Sequence, residues 1–165
     1  KALANRDISV FIGGNGWAKH RNEYPSSWTY GGPQHGRAYL ESLHQGKIVV
    51  APVTREVVID GHKQPGDEDT TRTYELAAAQ CFFIHRRTEY VQQLYDGASE
   101  VPMFDTADEL AEKILYYLAR PKEREEMALA AHRRAVPAYA LDTRAAQIFS
   151  ILSDALSDRQ RWRAE

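Results

Sequence analysis

Four polar residues stand where the sequence predicts the start of a helix: Thr70, Thr71, Arg72 and Glu75. Unpaired N–H groups and the positive end of the helix dipole gather at such a start. Two hydroxyls and a guanidinium add hydrogen-bond donors that suit a phosphate or diphosphate. Glu75 suits the paired hydroxyls of a ribose, because a carboxylate can accept hydrogen bonds from both. Spacing leaves a second interpretation open, in which Arg72 and Glu75 form only a surface ion pair worth about 0.2–0.5 kcal/mol.

A second polar junction follows the first apolar stretch, where Gly13-Gly14-Asn15-Gly16 comes directly after Ile8–Ile12. Glycines allow a backbone to approach a ligand closely, although the same cluster also suits a simple tight turn. The pattern is not a dinucleotide fingerprint, because its last position is Lys19 instead of glycine. The second strand also ends in Ala51-Pro52, without the acidic residue that binds an NAD ribose. A nicotinamide dehydrogenase is therefore disfavoured.

Short apolar runs alternate with helix-like stretches through most of the chain. The patterns predict strands over 8–12, 47–51, 81–85 and 101–104, and helices over 36–45, 71–80 and 88–96. Val57–Ile59 followed by Asp60-Gly61 is typical of a β-hairpin. Residues 20–36 are predicted to form an irregular loop. Buried strands alternating with helices predict an α/β fold, with a Rossmann-like parallel sheet flanked by helices.

Three helices are predicted to form a helical C-terminal cap. Thr106 and Glu109 have the spacing of a capping box, and Pro121 suits the first position of the next helix. Asp142 is expected to cap the last helix. Its apolar residues are expected to point inward: Ala145, Ile148, Phe149, Leu152 and Leu156.

The composition limits the protein's class and partners. The chain has 165 residues, which predicts one domain over 1–165, and its net charge of −2 does not favour nucleic acid. No apolar run is long enough for a membrane span, and no signal peptide is recognisable. One cysteine favours a reducing compartment, so a cytoplasmic location is expected. Because the chain begins at Lys1 and not at methionine, it is expected to be a fragment of a longer chain, with a processed or trimmed terminus as the alternative.

Several other residues have two interpretations each. The six histidines have no metal-ligand spacing, and His85, at the end of the third predicted strand, is either a structural histidine or a ligand contact. Arg86 and Arg87 either reach a phosphate or are solvated. Cys81 is expected to be a small buried hydrophobe. Four aromatic residues either stack on a base or sugar or hold their own loop in place: Trp17, Tyr24, Trp28 and Tyr30.

The order of these features resembles the C-terminal half of GT-B glycosyltransferases, especially the group similar to the spore maturation protein CgeB. The resemblance extends over about residues 8–152. It is carried by VFIGGNGW at 10–17, TTRTYELAAAQCFFIH at 70–85, the series from Tyr95 to Arg134, and Arg144-Ala145. The most specific part is the Arg-x-x-Glu helix start followed by a strand.

The resemblance implies a domain that binds the nucleotide half of a UDP-, GDP- or ADP-sugar. It implies that Glu75 contacts the ribose and that Thr70, Thr71 and Arg72 contact the diphosphate, with Arg72 catalytic because it would stabilise the departing group. Asp67 matches a second acidic position of the family. Residues of the glycine-rich turn are implied to lie beside the nucleotide: Gly13, Gly14, Asn15, Gly16 and Trp17. No metal or other cofactor is expected.

The resemblance also implies a missing partner. In this family the donor binds between two Rossmann-like halves, so transfer would need an N-terminal half, and the isolated domain is expected to be inactive. The last helix often crosses back to that half, which would use Trp162 for docking. The chain departs from the group's pattern at Gln80-Cys81, in place of a glycine-containing pair, and at Tyr139–Leu141. The alternatives are a non-catalytic Rossmann-like scaffold module, and a phosphosugar hydrolase or epimerase.

Overall fold

A computed structural model describes residue 3, residues 8–54 and residues 56–162, with side chains as far as residue 156. Within these residues, seven strands and six α-helices follow one another. The strands are β1 (Phe11–Gly13), β2 (Thr29–Gly32), β3 (Val49–Ala51), β4 (Glu56–Ile59), β5 (His62–Pro65), β6 (Phe83–Arg86) and β7 (Met103–Phe104). The helices are α1 (Gly36–Gln45), α2 (Thr71–Ala78), α3 (Glu89–Leu94), α4 (Ala107–Leu118), α5 (Pro121–Ala138) and α6 (Leu141–Trp162), and a 3-10 helix spans Trp17–Glu23.

The main sheet has three parallel strands in the order β3-β6-β7. Phe83 packs into the apolar cluster on one face, whereas Phe82 and Ile84 pack into the cluster on the other. Both faces are therefore buried, because successive side chains of a strand point to opposite sides. This confirms the predicted α/β class, with parallel strands flanked by helices and a long C-terminal helix. The architecture is consistent with one Rossmann-like half of a GT-B fold.

The first strand does not join the main sheet among the described residues. β1 pairs in parallel with β2 to form a separate two-stranded sheet. The prediction of an irregular loop over 20–36 is therefore wrong, since this stretch contains β2 and part of the 3-10 helix. Glycines are rare in strands, which hid β2 in the sequence. Glycine at position 31 lets the Phe11 ring lie close against β2, because a Cβ atom there would come within 2.1 Å of that ring.

The predicted hairpin is confirmed by the antiparallel pair β4 and β5. Asp60 and Gly61 link the two strands, with φ angles of 51° and 78°. Positive φ at both central residues is what a tight two-residue hairpin requires.

The starts of α4 and α5 follow their sequence signals. Thr106 Oγ1 accepts a hydrogen bond from the Glu109 N–H at 3.1 Å, so Thr106 caps α4 as predicted. Pro121 opens α5, where its missing N–H costs nothing. The helical backbone of α5 is interrupted at Val136, directly before Pro137.

α2 ends in a Schellman motif. The Gln80 N–H donates to the Ala77 carbonyl oxygen at 3.0 Å and the Cys81 N–H donates to that of Leu76 at 2.9 Å. Gln80 has a φ of 55°, in the left-handed region that favours glycine. A glycine at position 80 would relieve this backbone strain.

The prediction for the last helix is wrong on two points. α6 begins at Leu141, so Asp142 lies inside its first turn and does not cap it. Its apolar side chains are exposed and do not point into the core, with Phe149 70% and Leu152 53% accessible. The amphipathic pattern identified the helix correctly, but it could not identify what the apolar face contacts. In the described part of the chain, nothing covers that face.

Candidate functional site

A cavity of about 380 Å³ lies between the start of α1 and the start of α2. Its lining includes four residues that the sequence singled out: Thr70, Thr71, Arg72 and Glu75. The segment that leads into α1, and α1 itself, contribute the rest: Gln34, His35, Gly36 and Tyr39. The structure therefore brings the predicted polar helix start together with a second helix start.

The start of α2 carries a capping box. Thr73 Oγ1 accepts a hydrogen bond from the Thr70 N–H at 3.0 Å, and the Thr70 side chain faces the Thr73 N–H in turn. The Thr73 N–H also donates to the Thr70 carbonyl oxygen at 2.9 Å. Thr70 Oγ1 is buried, and among the described residues no donor or acceptor meets it with full hydrogen-bond geometry. A buried hydroxyl in that state is costly.

Arg72 and Glu75 do not neutralise each other directly. Among the ion pairs within 4 Å that the structure describes, none joins these two residues. Both line the cavity and face the phenol of Tyr39, whose hydroxyl donates to Glu75 Oε2 at 3.4 Å. Burial raises the pKa of Tyr39; the Glu75 carboxylate adds to this rise and the Arg72 guanidinium opposes it. The surface ion pair considered from the sequence is therefore not what the structure contains.

Asp67 lies in a second cavity of about 500 Å³, at the carboxyl ends of the main-sheet strands. Arg86 and Arg87 also line this cavity, and both are tied to the loop after β7. Arg86 donates to the Asp105 carbonyl oxygen, and Arg87 Nε donates to Asp105 Oδ2 at 2.7 Å. The structure therefore separates Asp67 from the residues around Glu75, and it engages the two arginines in protein contacts.

The glycine-rich turn of residues 13–17 lies beside the first cavity but does not line it. A Cβ atom on Gly13 would lie 3.7 Å from Cγ of Gln34, which does line it. Gly14 and Gly16 have φ angles of 113° and 82°, so both need glycine for the turn itself. Asn15 and Trp17 are exposed.

The aromatic residues near this turn mainly contact one another. Tyr24 stacks on Trp28 with ring centroids 6.1 Å apart, and its hydroxyl donates to the Trp17 carbonyl oxygen at 3.2 Å. The Tyr30 hydroxyl donates to the Gly14 carbonyl oxygen at 3.1 Å. These contacts favour the interpretation in which the aromatics hold their own loop in place.

His85 is a satisfied core residue. It is fully buried, and both ring nitrogens have partners: Thr73 Oγ1 at 2.9 Å and the Arg86 carbonyl oxygen at 2.6 Å. Burial lowers the pKa of His85 to about 4, and the Asp69 carboxylate opposes that shift. Cys81 is buried as expected, which raises the pKa of its thiol.

The described part of the chain contains no group of three or more His, Cys, Asp or Glu arranged to hold a metal ion. Within the same residues, no helix has the length and apolar character that a bilayer crossing requires.

Sequence reasoning missed the half of the cavity formed by Gln34–Gly36 and Tyr39. α1 follows β2 of the small sheet, whereas α2 follows the antiparallel β4-β5 hairpin. The two helix starts meet through tertiary packing, and no local sequence signal indicates that meeting.

The fold and cavity define an α/β domain that presents a polar cleft at the starts of two helices. A family model described as glycosyl transferase-like matches residues 1–150. The chain therefore belongs to the glycosyl transferase-like family. Membership of this family indicates glycosyl transfer as the general chemistry. No curated protein and no solved structure matches the chain.

Proposed function

We propose that this domain binds the nucleotide half of an activated sugar, the donor in glycosyl transfer. One observation carries the proposal: Arg72 and Glu75 line a single cavity without pairing, beside the start of α2. A cation and an anion kept apart in one cleft suit a ligand with both acceptors and donors. A nucleoside diphosphate has phosphate oxygens that accept and ribose hydroxyls that donate.

Each part of the donor has a matching part of the cavity. The diphosphate would meet the N–H groups of Thr71 and Arg72, the Thr70 hydroxyl and the Arg72 guanidinium. The ribose hydroxyls would donate to Glu75, with the Tyr39 hydroxyl orienting its carboxylate. The base would lie toward the Gln34–Gly36 segment, whose Gln34 side chain lies next to Gly13 of the glycine-rich turn.

The chemistry follows from these contacts. Glycosyl transfer breaks the bond between the sugar and the diphosphate, so negative charge develops on the departing oxygen. Arg72 and the positive end of α2 would stabilise that charge without a metal ion. We infer a CgeB-like enzyme that uses a UDP-, GDP- or ADP-sugar in the cytoplasm, where the unpaired Cys81 would stay reduced.

The acceptor and a catalytic base would come from an N-terminal Rossmann-like half. The exposed apolar residues of α6 support this proposal, because a large unpartnered apolar surface marks an interaction site. These residues are Leu141, Ile148, Phe149, Ile151, Leu152 and Leu156. In a chain with both halves, Phe149→Glu should lower the melting temperature; an unchanged value would exclude this face as the docking site.

Isothermal titration with UDP, GDP and ADP tests the proposal. The wild type should bind one of them saturably, and Glu75→Ala or Arg72→Ala should weaken that binding at least about tenfold, the loss expected for a charged hydrogen bond. Arg37→Ala and Glu41→Ala are matched controls, because these residues form an exposed ion pair on α1 outside the cavity lining. The controls should bind like the wild type.

Two results would contradict the proposal. If no nucleotide binds at millimolar concentration, the domain is a scaffold module and not a donor-binding domain. If the α1 controls weaken binding as much as the cavity variants do, general charge accounts for the affinity and the cavity does not.

A further inference from the structure

Three hydrogen bonds link the main sheet to the start of α2. His85 Nδ1 lies 2.6 Å from the Arg86 carbonyl oxygen, and because a carbonyl only accepts, this nitrogen carries the proton. In the neutral ring, Nε2 then accepts from the Thr73 hydroxyl at 2.9 Å. Thr73 Oγ1 in turn accepts from the Thr70 N–H at 3.0 Å. Every bond in this relay therefore has one fixed direction.

The relay is held rigidly. Thr73 and His85 are both fully buried. A buried polar network in which every member is satisfied specifies one geometry. Burial also keeps the pKa of His85 at about 4 despite the Asp69 carboxylate, so the ring remains a neutral acceptor at neutral pH.

The relay determines what the start of α2 offers to the cavity. The Thr70 N–H is directed inward to Thr73, away from any ligand. The N–H groups of Thr71 and Arg72 have no acceptor within the helix, as at any helix start. In the described structure, no donor or acceptor meets the Thr70 hydroxyl with full hydrogen-bond geometry. Because the Thr70 N–H is engaged by Thr73, the N–H groups of Thr71 and Arg72 are the backbone donors left for a ligand, and the relay holds them in one orientation.

We propose that His85 is a positioning residue for the diphosphate subsite: through Thr73 it orients the Thr70–Arg72 start of α2. This proposal rests on the proposed function, because it assigns His85 to the same donor cavity. His85 itself touches no ligand. Substitution of His85 should therefore weaken the binding of the phosphate part of the donor and leave the binding of the nucleoside part unchanged.

Two variants break the same bond from opposite sides. Thr73→Val keeps the shape of the side chain but removes the hydroxyl, and with it both the bond to His85 and the acceptor of the Thr70 N–H. His85→Leu removes the acceptor of the Thr73 hydroxyl and leaves the Thr70–Thr73 bond possible. Thr73→Ser restores the hydroxyl and should rescue binding. Tyr95→Phe is the matched control, because it removes a buried hydrogen bond to Thr73 that is not part of the relay.

The test compares two probes: whichever of UDP, GDP and ADP binds the wild type, measured by calorimetry, and its nucleoside, measured by ligand-observed NMR. Thr73→Val and His85→Leu should each weaken diphosphate binding about tenfold, the effect of one hydrogen bond to a charged group. Nucleoside affinity should not change. The double variant should bind like Thr73→Val alone, because the Thr73–His85 bond that His85→Leu removes is already absent there.

Each outcome is decisive. An equal loss for nucleoside and diphosphate, the same loss in Tyr95→Phe, or unchanged diphosphate binding in Thr73→Val would overturn the positioning role while the proposed function stands. A wild type that binds none of the three nucleotides would overturn both. If circular dichroism shows that His85→Leu does not fold, His85→Phe takes its place, because it keeps a planar ring beside Phe83 but removes the acceptor of the Thr73 hydroxyl.

Discussion

The Tyr39 hydroxyl on α1 lies 3.4 Å from Glu75 Oε2 on α2, although 36 residues separate them in sequence. This contact joins a helix that follows the small β1-β2 sheet to a helix that leads into the main sheet. The cavity is lined by residues from the starts of both helices, so it exists only where α1 and α2 lie together. It also brings a phenol next to the carboxylate that we assign to the ribose.

Tyr39→Phe should weaken nucleoside diphosphate binding about fivefold, because Glu75 loses the donor that orients it. The free energy of unfolding should change by less than about 1 kcal/mol, since the bond is exposed. Calorimetry and urea denaturation measure the two effects. Tyr116→Phe is the matched control, because the Tyr116 hydroxyl makes a similar contact to a carboxylate, that of Glu123 at 3.5 Å, and neither residue lines the cavity. Equal losses in both variants would contradict the assignment.

Stability should fall as the pH is lowered through the range set by His85. Burial lowers the folded-state pKa of His85 to about 4, below the ordinary value of 6.5. The unfolded chain then binds the proton more tightly than the folded domain does. The stability that the neutral His85 ring contributes is therefore complete above pH 6.5 and is lost as the pH falls toward 4. The loss is about 3 kcal/mol. In urea denaturation at several pH values, His85→Gln should remove this loss, whereas His62→Gln on the exposed β5 should retain it.

A glycine at position 80 should stabilise the domain. Gln80 has a φ of 55° at the end of α2, where a side chain costs about 1–2 kcal/mol and glycine does not. Greater freedom of glycine in the unfolded chain offsets part of that gain. We expect Gln80→Gly to be more stable than Gln80→Ala by about 1 kcal/mol in thermal and urea unfolding. A less stable glycine variant would show that the left-handed conformation is not strained.

The two faces of the fold should respond very differently to loss of a phenyl ring. Phe83 is 1% exposed in the main sheet, so Phe83→Ala should lower the free energy of unfolding by about 3–5 kcal/mol. Phe149 on α6 is 70% exposed, so Phe149→Ala should change it by no more than about 0.5 kcal/mol. Urea denaturation of both variants measures the difference. A large loss from Phe149→Ala would mean that α6 packs against the domain.

Local signals predicted the elements whose causes are local. The apolar run around Phe83, the capping residue Thr106 and the Asp60-Gly61 turn each encode their structure within a few residues, and all three are confirmed. The polar start of α2 belongs to this class as well. Its residues were identified because a helix start has fixed chemistry wherever it lies in the fold.

The features that the sequence did not reveal depend on distant partners. β2 contains two glycines, and Gly31 makes sense only once the Phe11 ring is seen to lie against it. The cavity half around Tyr39 depends on the meeting of α1 and α2, so it was missed as well. The inward orientation predicted for Phe149 failed because a hydrophobic stripe indicates a buried face without indicating what buries it.

The most direct test of the central claim maps nucleotide binding onto the chain. Backbone amide resonances are followed by NMR during titration with UDP, GDP and ADP. Binding of a donor nucleotide predicts saturable shifts at Thr71 and Arg72 and at the cavity residues Tyr39 and Glu75, with Arg86 and Arg87 of the second cavity unmoved. Shifts confined to the second cavity, or none with any nucleotide at millimolar concentration, would show that the start of α2 does not hold the diphosphate.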